Sequence, residues 1–261
     1  WQKEQKVLYW PDIAKREEPA DFARRLTDHT KDNNFYNTSP AISPQGDKIA
    51  FISDRNDYFD IYLMSAIDGQ ILEKLVSGQR TNDLEELHLL TPGIAWAPDG
   101  KKIAFAAKAG GQDAIMIVDV ESHDKEKIEL GLDGAFSLNW SPDGKKITFE
   151  GLKGPNSDIY IYDLESQKLS NVTNDIFTDL DPVFSPDSKT IFFSSDRRDF
   201  TSPGKMVPGL RMSQLDYSQL DIYSVNVDTK AIRRVIESAN SNETSSVVSP
   251  DGKKLLYISD R

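Results

Sequence analysis

The stretch Trp140-Ser141-Pro142-Asp143-Gly144-Lys145-Lys146-Ile147-Thr148-Phe149, followed by Asp158-Ile159-Tyr160-Ile161-Tyr162-Asp163, decides the fold. An apolar residue precedes Ser-Pro, a Pro-Asp-Gly turn reverses the chain, and two alternating runs follow across a short polar loop. Alternation with period two, broken by turn residues, is the pattern of consecutive antiparallel strands. The turn recurs at Pro44, Pro98, Pro142, Pro186 and Pro250, at intervals of 54, 44, 44 and 64 residues. A repeat this short cannot bury its own apolar face, so neighbouring units must stack. The expectation is therefore an all-β protein, a β-propeller of four-stranded blades.

Working outward, four complete blades are expected near residues 38–76, 91–130, 136–173 and 181–236, with inner strands ending at Ile42, Trp96, Trp140 and Phe184. Phe22 to Thr27 reads as a short strand resembling Lys168 to Thr173. Residues 245–261 supply two strands and residues 1–27 two more, so one split blade would close a ring of five. The alternative is an incomplete six-bladed ring. Residues 1–261 then form a single propeller domain or a fragment of one.

Composition narrows the function. The net charge is −11 with no basic run, which disfavours nucleic acid or an anionic membrane as partner. There is no cysteine, so disulfides and thiolate metal sites are excluded. No apolar run approaches the length of a membrane span, about 18 residues.

Three elements repeat: Ser-Pro-Asp-Gly-Lys-Lys at 141–146 and 249–254, Ser-Asp-Arg at 53–55, 195–197 and 259–261, and Asp-Ile-Tyr at 60–62, 158–160 and 221–223. Together they resemble the TolB-like β-propeller with WD40-like PD40 repeats, over residues 22–261. Trp10-Pro11, Arg25-Leu26-Thr27-Asp28 and Ser77-Gly78-Gln79-Arg80 carry a narrower resemblance to the propeller of large bacterial envelope proteins, set between a peptidase-like and an outer-membrane barrel-like domain. The resemblance implies a periplasmic or otherwise extracytoplasmic setting and protein contacts, with no reaction.

The repeated aspartates read as packing and turn residues that accept hydrogen bonds within or between blades. Asp179 and Asp181, two apart before an inner strand, could hold a cation or act on a sugar, but turn and solvent roles are commoner. His29, His88 and His123 lack a nucleophile at defined spacing, and no Gly-x-Ser-x-Gly elbow is present. Gly110-Gly111 and Gly151 to Gly154 lack the following helix that phosphate binding needs. The expectation is a non-catalytic protein–protein or interdomain scaffold of the cell envelope, without cofactor or metal. An accessory substrate-recognition domain of a peptidase or other hydrolase, or a structural spacer, are the alternatives.

Two long insertions, Ser77 to Pro92 and Arg198 to Gln219, should rise on one face. Leu84, Leu87 and Leu90 suggest a short capping helix in the first. Arg80, Leu87, His88, Arg211 and Tyr217 are the residues expected to contact another protein or neighbouring domains of a longer chain.

Overall fold

The computed structural model describes residues 17–78, 84–88, 93–201, 219–238 and 240–261, with residues 4 and 8. Four sheets of four or five strands and a fifth of two follow one another along the chain. The first contains β1 (Asn37–Ile42), β2 (Lys48–Ser53), β3 (Asp60–Ser65) and β4 (Ile71–Val76), paired in chain order. In the second, β5 (Glu86–Leu87) and β6 (Ile94–Trp96) both pair with β7 (Lys102–Ala109), which leads to β8 (Gln112–Asp119) and β9 (Lys125–Glu129). The third is β10 (Gly134–Trp140), β11 (Lys146–Lys153), β12 (Asn156–Asp163) and β13 (Lys168–Asn171). The fourth is β14 (Asp179–Phe184), β15 (Thr190–Ser195), β16 (Asp221–Asn226) and β17 (Ile232–Ile236). β18 (Glu243–Val248) and β19 (Leu255–Ser259) make the fifth. All pairings are antiparallel, as short hairpins require.

Alternation along each second strand sends successive residues to opposite neighbours. Ile147 and Phe149 pack back on Ile115 and Ile117 of the second sheet. Ile159 and Ile161 of β12 pack forward on Phe193 and Tyr223 of the fourth. Ala50, Ile52, Ile61 and Leu63 likewise pack forward on Ile103, Phe105 and Met116. The core is thus a series of intersheet layers, the consequence of repeats that share their apolar faces.

The Pro-Asp-Gly turn is a local device. Ser141 Oγ donates to Asp143 Oδ1 at 2.7 Å and accepts from Lys146 N at 2.8 Å. Ser185 with Asp187 and Ser249 with Asp251 repeat the pattern, and Ser43 reaches Asp47 instead. Gly144, at φ 75°, occupies the left-handed position the turn needs.

Two expectations about local structure are corrected. Phe22 to Thr27 is no strand: α1 (Pro19–Phe22) ends there, and no strand runs between it and α2 (His29–Asp32). Leu26 nevertheless packs on Phe51, Tyr62 and Met64, the place Val172 takes against the fourth sheet. Among the described residues it has no partner strand, which is why it forms no ladder. The capping helix is also absent from residues 84–88. Glu85 N donates to Lys108 O at 2.8 Å and Leu87 pairs with Ala107, so this segment extends the inner edge of its sheet as β5. Both Leu84 and Leu87 are buried, and a spacing of three served an extended chain here. Leu90 lies outside the described residues.

Candidate functional site between the third and fourth sheets

The aspartate that opens each third strand has a structural role. Asp60, Asp113, Asp158 and Asp221 each accept a backbone N–H from the chain entering the next sheet, from Gly78 (2.9 Å), from Ala135 at the start of β10 (3.0 Å), from Asp175 (3.1 Å) and from Ser238 (3.0 Å). Each is a latch from one sheet to the next. The second carboxylate oxygen differs. Asp60 faces Lys74 at 3.3 Å and Asp221 faces Arg234 at 2.5 Å, but at the same register Asp158 meets only the neutral Asn171, at 2.8 Å.

That uncompensated charge lies in a cluster. Carboxylate oxygens of Asp158, Asp175 and Asp179 come within 4.8 Å of one another. Among the described residues Arg197 is the cation paired with two of them: its buried guanidinium sits 2.9 Å from Asp175 and 2.6 Å from both oxygens of Asp179. Its plane is held among the rings of Phe193, Phe177 and Tyr223 at 5.1, 5.4 and 5.7 Å, and Nε donates to Ser195 Oγ. Burial and repulsion from Asp179 push Asp175 up to about 6 against the pull of Arg197. Burial raises Asp179 as well, while Arg197 rises because its two carboxylates outweigh its own desolvation. Three carboxylates around one guanidinium leave negative charge that a proton or an oxygen-seeking cation can balance.

Asp179 and Asp181 do not converge. A bulge between Leu180 and Val183 puts Asp181 at φ 52° and turns it away. Its two oxygens accept from Ser137 Oγ (3.0 Å) and Ser245 Oγ (3.1 Å), joining the inner strands of three successive sheets. Ser39, Ser137 and Ser245 occupy the same left-handed bulge position on their own inner strands. Beside Asp181 stands Glu150, which accepts from Ser157 Oγ at 3.0 Å. Burial first, then the charges of Asp181 and Asp179, push Glu150 up to about 7. It is a carboxyl poised to hold or release a proton near neutrality.

The residues expected to bind a partner are placed differently. Leu87 is 3% exposed within the layer between the first and second sheets. His88 is half-buried, its Nε2 2.9 Å from Asp113 and its ring edge-on to Phe136 at 5.1 Å. Arg80, Arg211 and Tyr217 lie outside the described residues. Arg197 and Glu150 were not singled out from sequence. Signals existed: Arg197 ends a repeated Ser-Asp-Arg, and Glu150 is a charge in an apolar column.

The PD40 family, described as the TolB beta propeller domain, matches residues 78–203. No curated protein matches the chain. Among solved structures, TolB from Acinetobacter baumannii is 22% identical with a TM-score of 0.56, covering 84% of this chain and 45% of that one. An oligogalacturonate lyase from Vibrio parahaemolyticus is 18% identical with a TM-score of 0.61, covering 90% of this chain and 62% of its own. A structure from an analysis of two prolyl endopeptidases is 19% identical with a TM-score of 0.56; the match covers all of this chain and 37% of that one. The chain thus spans less than half of the TolB it matches.

The fold is a TolB/PD40-like β-propeller. The closed ring is not seen among the described residues, and the narrower envelope-protein resemblance gains no support. The expectation of a non-catalytic scaffold, and of a chain that is no enzyme, is corrected. A cation-competent aspartate cluster is present, and the fold is one that a lyase and a peptidase also carry. Packing explained the repeated Asp158 singly; it missed that Asp175 and Asp179 stand beside it.

Proposed function

We propose that this propeller is the substrate-recognition part of a peptidase or other hydrolase, acting with neighbouring domains of a longer chain. The observation that carries the reading is Glu150 on β11, which accepts from Ser157 Oγ and is pushed up to about 7 beside Asp179 and Asp181 of the inner strand β14. A protonatable carboxyl beside further carboxylates can exchange hydrogen bonds with a polar substrate and change its charge on binding. The peptidase likeness, in which this fold is 37% of a longer chain, supports the modular arrangement. The resemblance to TolB-like repeats supports a periplasmic setting. Among the described residues no helix is long and apolar enough to cross a membrane.

The test is retention of a defined peptide pool and a defined oligosaccharide pool on the immobilised chain, read by mass spectrometry. One pool should be enriched, and Glu150→Gln or Asp181→Asn should cut enrichment at least about fivefold, the loss of one charged hydrogen bond. Cleaved products in the eluate would assign the chemistry to this chain itself. Retention of neither pool, or equal retention by both variants, would leave the propeller as a spacer.

A further inference from the structure

Between the second and third sheets, beside their first turns, lies a cleft of about 450 Å³. Its floor is apolar, made by Trp140, Ile117 and Leu164. Three carboxylates line it, Asp99, Glu126 and Asp143, against a single cation, Lys102. Asp143 is ionised at neutral pH: burial opposes this, but the Ser141 hydroxyl and Lys145 N–H hold it below the ordinary carboxylate range. Asp99 Oδ1 accepts from Lys101 N at 2.9 Å, the same turn contact.

The contacts across this junction differ from those at the junction before it. At the junction of the first and second sheets Trp96 reaches across, its Nε1 donating to Ala41 O at 2.9 Å. The Gln45 side chain there lies so close over Gly100 that an added Cβ would meet its Oε1 at 2.4 Å. One junction later, Trp140 Nε1 donates back to Gly144 O of its own hairpin at 3.2 Å. The neighbour of Gly144 there is Pro98, the counterpart of Pro44, its nearest atom 3.4 Å from the corresponding Cβ position, while the counterpart of Gln45 is Asp99, a carboxylate that lines the cleft.

We propose that this cleft binds a peptide through one arginine side chain. A guanidinium is planar and weakly hydrated, so it can lie against an indole edge while its fork meets carboxylates. Its methylene stem matches the apolar floor. The cleft volume suits one long side chain with adjoining backbone, within the usual range for small-ligand pockets of about 300–1,000 Å³. The charge of the lining selects a cation, as does the net charge of −11 on the whole chain. This site is separate from the carboxylates of the third and fourth sheets, and its test does not depend on them.

The experiment titrates the 261-residue chain with acetyl-Gly-Arg-Gly-amide and with the same peptide carrying citrulline, which keeps the shape and removes the charge. Amide NMR shifts locate binding, and calorimetry measures it. The arginine peptide should bind with a Kd on the order of 1 mM or tighter, shift the amides of Lys102 and Gly144, and lose at least tenfold on change to citrulline. Glu126→Gln and Asp99→Asn, both exposed, should each weaken it about threefold to tenfold at an unchanged melting temperature. If one variant melts early, the other is the measure. Equal binding of the two peptides, shifts confined to other sheets, or unchanged affinity in both variants overturns the proposal, as does no binding at 10 mM, a peptide concentration about ten times that Kd.

Discussion

Glu150 occupies a column in which the other second strands carry Ile52, Ala106, Ser194 and Ile258. Ile52 and Ala106 at that position are buried against the next sheet, so a carboxylate here is desolvated by its address in the repeat. The sign of the consequence is definite. With a folded value of about 7 above an ordinary 4.5, the group's contribution is complete below pH 4.5 and is lost as pH rises towards 7. Asp175, pushed up to about 6, adds a decline of the same sign at lower pH, so the comparison is read above pH 6. Glu150→Gln should flatten thermal stability between pH 6 and 8 and raise it at pH 8 by up to about 3 kcal/mol. A variant whose melting curve still falls with pH as the wild type does would assign the decline elsewhere. The charge in that column was readable from the aligned repeats. The partner Arg197 was less so, because Ser-Asp-Arg also ends at Arg55, which stacks on Phe51 and Tyr62 and meets Asp32 at 3.7 Å instead of a buried aspartate pair.

The first hairpin of each sheet is the element that sequence described best, because its information is local. Proline, aspartate and glycine specify the turn, and the preceding serine fastens it with two hydrogen bonds. The second repeat lacks the serine. Ala97 stands there, 4% exposed, while Asp99 keeps its turn contact with Lys101 N and Ala97 N still accepts the hairpin geometry by donating to Lys102 O at 2.8 Å. Ala97→Ser should supply the missing hydroxyl and stabilise the chain by about 1 kcal/mol, seen as a higher urea midpoint at constant slope. An unchanged or lower midpoint would show that the backbone of this turn has already adjusted to alanine. β5 was misread for the opposite reason. Leu84 and Leu87 match a helix or a strand equally well, and only the pairing of Leu87 with Ala107, twenty residues away, chooses between them.

At the scale of the molecule the two ends of the stack differ. Phe51 and Tyr62 on the first sheet are buried beneath Leu26, whereas Val247, Leu256 and Ile258 on the fifth are 55, 74 and 63% exposed. By register the latter three face the side on which every earlier sheet meets its successor. A ring closed by residues 1–27 joining 245–261 in one blade would bring the first sheet against them, and the correspondence of Leu26 with Val172 favours that arrangement. Removing residues 1–16 should then accelerate amide exchange in Leu255–Ser259 at least tenfold and promote self-association through the bared edge. Exchange unaltered by the truncation would exclude closure by this segment. The four sheets of four or five strands were legible from turn spacing, but ring closure, and with it the choice between five and six blades, depends on contacts between the chain's extremes, which no local pattern encodes. The latches have a mechanical corollary. Each of these third-strand aspartates grips a backbone amide of the chain entering the next sheet, so tension applied between the ends would act on these links in series. Under load the stack should yield one sheet at a time, releasing chain in increments of 44 to 64 residues, or roughly 150 to 220 Å of contour, a ratchet of successive links in place of a single breaking point.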